Sequence, residues 1–159
     1  MKKGLALATF TALVLGAFPA FADHRAPDPA DSNTLDLAHV SSIAVGRTVR
    51  FRASFQDPIA WNQRPVVGFQ IESRGGDGVD RFIFIQRRGG QPICRVYSQH
   101  RFIARLDPVV TDDSVACRVE RRSLGSNGTA IRWRTTSVYT ADVSAIADLA
   151  PDDGMFPHI

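Results

Sequence analysis

The sequence predicts an all-β protein, an antiparallel β-sandwich of jelly-roll type with seven to eight strands and one disulfide. Three observations carry this expectation. Apolar residues recur with a period of two almost everywhere after residue 33. Gly, Pro and Asn-Gly clusters separate the alternating runs, as in "RGGDG", "RRGGQP" and "GSNG". No amphipathic stretch as long as an ordinary helix of about ten residues is visible, and two cysteines stand in separate alternating runs. Many short strands with regular turns and a cross-link are the pattern of a sandwich.

Taken in order, "RTVRFRASFQ" turns Val49, Phe51, Ala53 and Phe55 one way and Arg50, Arg52 and Ser54 the other. "VVGFQIES" carries Val67, Phe69 and Ile71 on one face. "DRFIFIQR" is apolar on both faces, which predicts a central strand. "PICRVYSQ", "RFIARLDP", "SVACRVER" and "TAIRWRTTSVY" continue the alternation, with Trp133 between Arg132 and Arg134 as a core residue. "ERRSLGS" is expected to form a short helical turn before the last long strand. Residues 140–150 are Ala-rich, but Val143, Ser144 and two aspartates argue against a full helix.

The chain opens with Lys2 and Lys3, an apolar run from Gly4 to Phe18, and Ala20-Phe21-Ala22. A basic start, an apolar middle and a small-x-small ending predict a signal peptide over residues 1–22, and so a secreted or periplasmic protein. No later stretch is long and apolar enough to span a bilayer, so no membrane association is expected after cleavage. Residues 23–33 read as an extended lead-in, and 34–159 as a single sandwich domain. Both lysines lie in the predicted signal. The remaining 137 residues then hold 17 arginines, no lysine and 16 acids, a formal charge of +1. Arg-rich and Lys-free composition of this kind fits GC-rich coding, and with the short signal it points to a bacterial source. So small a net charge argues against nucleic acid as a partner. Cys94 and Cys117 are expected to form a disulfide in an oxidising compartment, closing a loop of 22 intervening residues and contributing ~3 kcal/mol. Neither has a second Cys or a His at zinc-ligand spacing.

The chain resembles a group of secreted bacterial β-sandwich modules. The resemblance runs through "DPADSNTLDLAHVS", "RTVRFRASF", "VVGFQIESRGGDGVDRFIF", "VACRVERRSLGSNGTAIRWRTTS" and "DLAPDDG". It extends distantly to family 9 carbohydrate-binding modules and DOMON-type domains. It departs from their pattern at Glu72 and Ser73, where the mid-domain motif carries aspartates. The resemblance implies a jelly-roll sandwich.

Three constellations are candidates for function. Trp61, Asn62 and Arg64 sit in the loop "QDPIAWNQRP". An exposed indole there would stack on a sugar ring; a buried one would plug the end of the sandwich. Arg50 and Arg52 share a strand face, as do Arg132 and Arg134; if their strands were neighbours, four guanidiniums would grip sulfate, phosphate or uronate groups of an anionic polymer. Asp28, Asp31, Asp148 and Asp152 crowd the two chain ends beside prolines. They would either converge on Ca2+, which takes six to eight oxygens at about 2.3–2.6 Å, or cap turns through their side chains. Catalytic motifs are missing: the four histidines form no metal-binding pair, and no Gly-x-Ser-x-Gly or His-Glu-x-x-His occurs. The expectation is a non-catalytic binding module for carbohydrate, with an extracellular structural or protein-interaction domain as the alternative and a hydrolase with a dispersed site third.

Overall fold

The computed structural model describes residues 35–73, 78–125, 130–141, 148–150 and 155–158. The predicted signal peptide and lead-in lie outside these residues. Eleven strands occur among them. The first two are β1 (Leu37–Val45) and β2 (Thr48–Phe55), followed by β3 (Pro65–Glu72), β4 (Arg81–Arg88) and β5 (Gln91–Ser98). Then come β6 (Arg101–Leu106), β7 (Val109–Val110), β8 (Ser114–Glu120) and β9 (Ile131–Tyr139), and last β10 (Asp148–Ala150) and β11 (Phe156–His158). Eight of these have six residues or more, as expected; the three additional strands, β7, β10 and β11, have only two or three. Pieces that short carry no periodicity to read. The turn foreseen in "ERRSLGS" is the 3-10 turn Arg121–Leu124, closed by Gly125 at φ 74°.

All pairings are antiparallel, in two sheets. The smaller has the order β1-β2-β8-β7, and the larger β10-β9-β3-β4-β5-β6, with β11 also on β9. β2 lies beside β8 in one sheet and β3 beside β9 in the other. The β2-to-β3 and β8-to-β9 crossovers therefore wrap the sandwich as a pair, the mark of a jelly roll. β4 is central in the larger sheet, as its sequence predicts.

The core fills the space between the sheets, as strand alternation requires. Val49, Phe51, Ala53 and Phe55 face Val67, Phe69, Ile71, Ile83 and Ile85, all buried. Trp133 is fully buried, with Phe51 edge-on at 5.7 Å and Phe156 at 4.9 Å between centroids. Ring pairs of this spacing add to the burial of their area. Cys94 of β5 and Cys117 of β8 are disulfide-bonded, with Cα atoms 6.4 Å apart, so the cross-link joins one sheet to the other.

The start and end of the described chain meet. Asp148 Oδ2 accepts from the Leu37 backbone N–H at 2.7 Å, and its Oδ1 from the Leu149 N–H at 2.8 Å. Ser137 Oγ donates to the Leu35 carbonyl. The carboxylate thus ties β10 to the first residue of β1 across the sandwich edge.

Candidate functional site

Trp61 opens a short 3-10 turn, Trp61–Gln63, where the chain passes from β2 to β3. The Ala60 N–H donates to Tyr139 Oη at 3.1 Å, and the Arg64 carbonyl receives the Thr140 N–H at 3.1 Å and Oγ1 at 2.9 Å. Arg64 adopts φ 55° to leave the turn. The indole is half-buried against the core, and the Arg87 guanidinium lies 4.4 Å from its ring centroid. A cation over the ring occupies a face that a sugar would use. Trp61 packs partly against the core, with Arg87 over its ring, while Asn62 and Arg64 are exposed beside it.

The four-arginine patch does not form. β2 belongs to the smaller sheet and β9 to the larger, so Arg50 and Arg52 lie on the opposite side of the molecule from Arg132 and Arg134. Alternation along a strand says which residues share a face of that strand; it does not say which strands are neighbours. Arg132 pairs with the buried Glu72 at 3.3 Å, and Arg134 Nε donates to Gln70 Oε1 at 2.7 Å. Of the candidate cation ligands, Asp28, Asp31 and Asp152 lie outside the described residues. Asp148 directs its oxygens at backbone N–H groups, and no cluster of three or more potential metal ligands occurs among the described residues.

The outer face of the larger sheet holds the feature that sequence reasoning missed. In β4, Ile83 and Ile85 point into the core, so Phe82 and Phe84 point away from it. These rings lie outside the core between the sheets, on the same outward phase as Ile93 of β5, which is itself buried. Tyr97 of β5 stands opposite Phe82, and Phe102 of β6 opposite Tyr97. The four rings make one connected row. The Phe82 and Phe84 planes are nearly parallel, 6° apart at 6.1 Å; Tyr97 follows edge-on, 6.0 Å from Phe84 at 64°, and Phe102 5.8 Å from Tyr97 at 70°. Phe102 is 53% exposed and the other three rings are half-buried. Gly68 lies opposite Phe84 on β3, and a Cβ there would come within 3.4 Å of the ring. The glycine lets Phe84 lie down on the sheet.

Polar groups border the rings. A groove of about 450 Å³ runs over Phe84 and Tyr97, bounded by Val66, Gln86, Arg95 and His100. The β5–β6 turn that supplies His100 holds Gln99 at φ 51°, and the Gln99 N–H donates to the Asp80 carbonyl at 3.0 Å. Asp80 is itself fixed. Its carboxylate receives the Ser73 N–H at 2.9 Å and Oγ at 2.6 Å, and Arg81 Nη1 at 3.0 Å. This buried cluster anchors one end of the aromatic row. The signal for the row was present in the phase of the alternation: Phe82 and Phe84 are out of step with Ile83 and Ile85, and Tyr97 with Cys94 and Val96.

No family model matches the chain, and comparison with curated proteins and with solved structures finds none similar to it.

Proposed function

We propose that this protein is an exported, non-catalytic binding module that docks a polysaccharide along the outer face of its larger sheet. The observation that carries the reading is the connected row Phe82, Phe84, Tyr97 and Phe102 on that face. Sugar rings present C–H faces that stack on aromatic rings, and the 5.8–6.1 Å steps of the row are comparable with one pyranose unit. Gln86, Arg95 and His100 at the groove edge supply donors and acceptors for hydroxyls. An apolar patch rimmed by polar groups is the common form of a binding surface. The predicted signal peptide and the resemblance to sugar-binding sandwiches point the same way. The row is preformed, because the rings hold one another, so little ordering cost attends binding.

The test is binding of the full mature chain to a panel of a neutral β-glucan, a uronate-containing polysaccharide and single-stranded DNA. At least one polysaccharide should bind, and a Phe84→Ala, Tyr97→Ala double variant should lose about tenfold or more in affinity, or about 1.4 kcal/mol. Binding to DNA alone, or polysaccharide binding unchanged in the double variant, would contradict the reading.

A further inference from the structure

The outer face of the smaller sheet has a different character. Val49, Phe51 and Ala53 of β2 and Val115, Cys117 and Val119 of β8 are buried, which turns Arg50, Arg52 and Arg118 outward. Arg50 stands directly opposite Arg118 in the β2–β8 register. Directly opposed residues have Cβ atoms about 4.5–5.5 Å apart, and like charges there are destabilising. Neither guanidinium is paired with a carboxylate among the described residues. Arg52 stands opposite Ala116, whose small side chain leaves space above β8. Arg52 Nη2 reaches across to Ser114 Oγ at 3.4 Å, and that hydroxyl is 2.7 Å from Thr111 Oγ1, which donates to Asp113 Oδ1 at 2.9 Å.

These side chains line a groove of about 460 Å³, with Val109, 70% exposed, and Asp107 also along it. We propose that this groove is a second binding site, taking a phosphate or sulfate ester of a sugar-sized ligand. Arg50, Arg52 and Arg118 hold the oxyanion. Guanidinium forks match the oxygens of such a group, and the Ser114 hydroxyl adds one further contact. Bringing a negatively charged oxyanion between Arg50 and Arg118 turns their repulsion into two attractions. The groove is far larger than a bare tetrahedral ion and falls in the ordinary range of small-molecule sites, about 300–1,000 Å³. Val109 and Ala116 offer the apolar surface that the rest of the ligand would cover. The site stands on the opposite side of the sandwich from the aromatic row and does not depend on it.

The experiment is titration of the full mature chain, in low salt, with a glucose phosphate ester, a glucose sulfate ester, inorganic phosphate and glucose. Binding is read by calorimetry and by melting temperature. Both esters should bind and raise the melting temperature, inorganic phosphate should bind at least several-fold more weakly, and glucose should do neither in this groove. Arg118→Ser should lower ester affinity tenfold or more, while its own ligand-free melting temperature stays level or rises because a like charge has gone. Phe84→Ala, Tyr97→Ala should leave ester binding unchanged. Ester binding that survives Arg118→Ser would overturn the proposal. So would esters no tighter than glucose, or inorganic phosphate as tight as the esters.

Discussion

The outer faces of the two sheets show two ways of finishing a surface that lies outside the core. On the larger sheet the leftover face is apolar. Phe82, Phe84, Tyr97 and Phe102 cover one another, so the face is ordered before any ligand arrives. On the smaller sheet the leftover face is charged. Arg50 and Arg118 oppose one another with no carboxylate between them among the described residues. The first face relies on stacking, which salt hardly touches. The second relies on charge, which is screened within about 10 Å at 0.1 M salt. A two-layer sandwich uses one face of each sheet for its core and leaves the other outside it, and the residue type placed there sets the chemistry of that face.

The largest change that can be imposed on both faces at once is at the disulfide. Cys94 lies one residue from Arg95 and three from Tyr97, and Cys117 lies beside Arg118, so the cross-link ties the strands that carry the two faces. Cys94→Ser, Cys117→Ser should lower stability by ~3 kcal/mol in urea denaturation, mainly through the freed unfolded chain. If the folded double mutant still binds at both faces, the faces are built by their own sheets and only stabilised by the bridge.

A smaller effect is expected at the chain ends. Asp148→Ala removes the acceptor of the Leu37 and Leu149 N–H groups. It should cost about 1 kcal/mol, as loss of a capping side chain does. Binding at both faces should be unchanged, and chelator should leave the wild-type melting curve unmoved. A drop in chelator that Ca2+ reverses would instead mean that the aspartates of the two ends hold a cation.

The smallest expected change in stability is the sharpest probe of the aromatic face. Gly68→Val places a β-branched residue, which suits a strand, under the Phe84 ring. Stability should move by less than about 1 kcal/mol, while the lifted ring should weaken polysaccharide binding several-fold. Affinity equal to that of the wild type would mean that the position of the Phe84 ring is immaterial.

Much of the fold was legible in the sequence because alternation is a local property. The inward faces of β2, β3 and β9 were read correctly from single residues such as Phe51, Phe69 and Trp133. So was the central place of β4, although its second apolar face points away from the core. Relations between distant segments were not legible. Nothing near Trp61 announces that Arg87 will cover its ring, and nothing near Arg50 says that Arg118, not Arg132, will be its neighbour. Those depend on which crossover each strand follows. The aromatic row falls between the two cases. Each ring's outward phase is local, but their union into one surface comes only from the register of β4, β5 and β6.

The most direct measurement of the central claim is amide NMR shift mapping during titration with a soluble oligosaccharide taken from the polysaccharide that binds best. Shift changes should gather on Phe82, Phe84, Arg95, Tyr97 and Phe102 and leave the amides of Arg50, Arg52 and Arg118 still. Changes that gather instead around Trp61, or on the arginines of the smaller sheet, would contradict the assignment of glycan docking to the aromatic face.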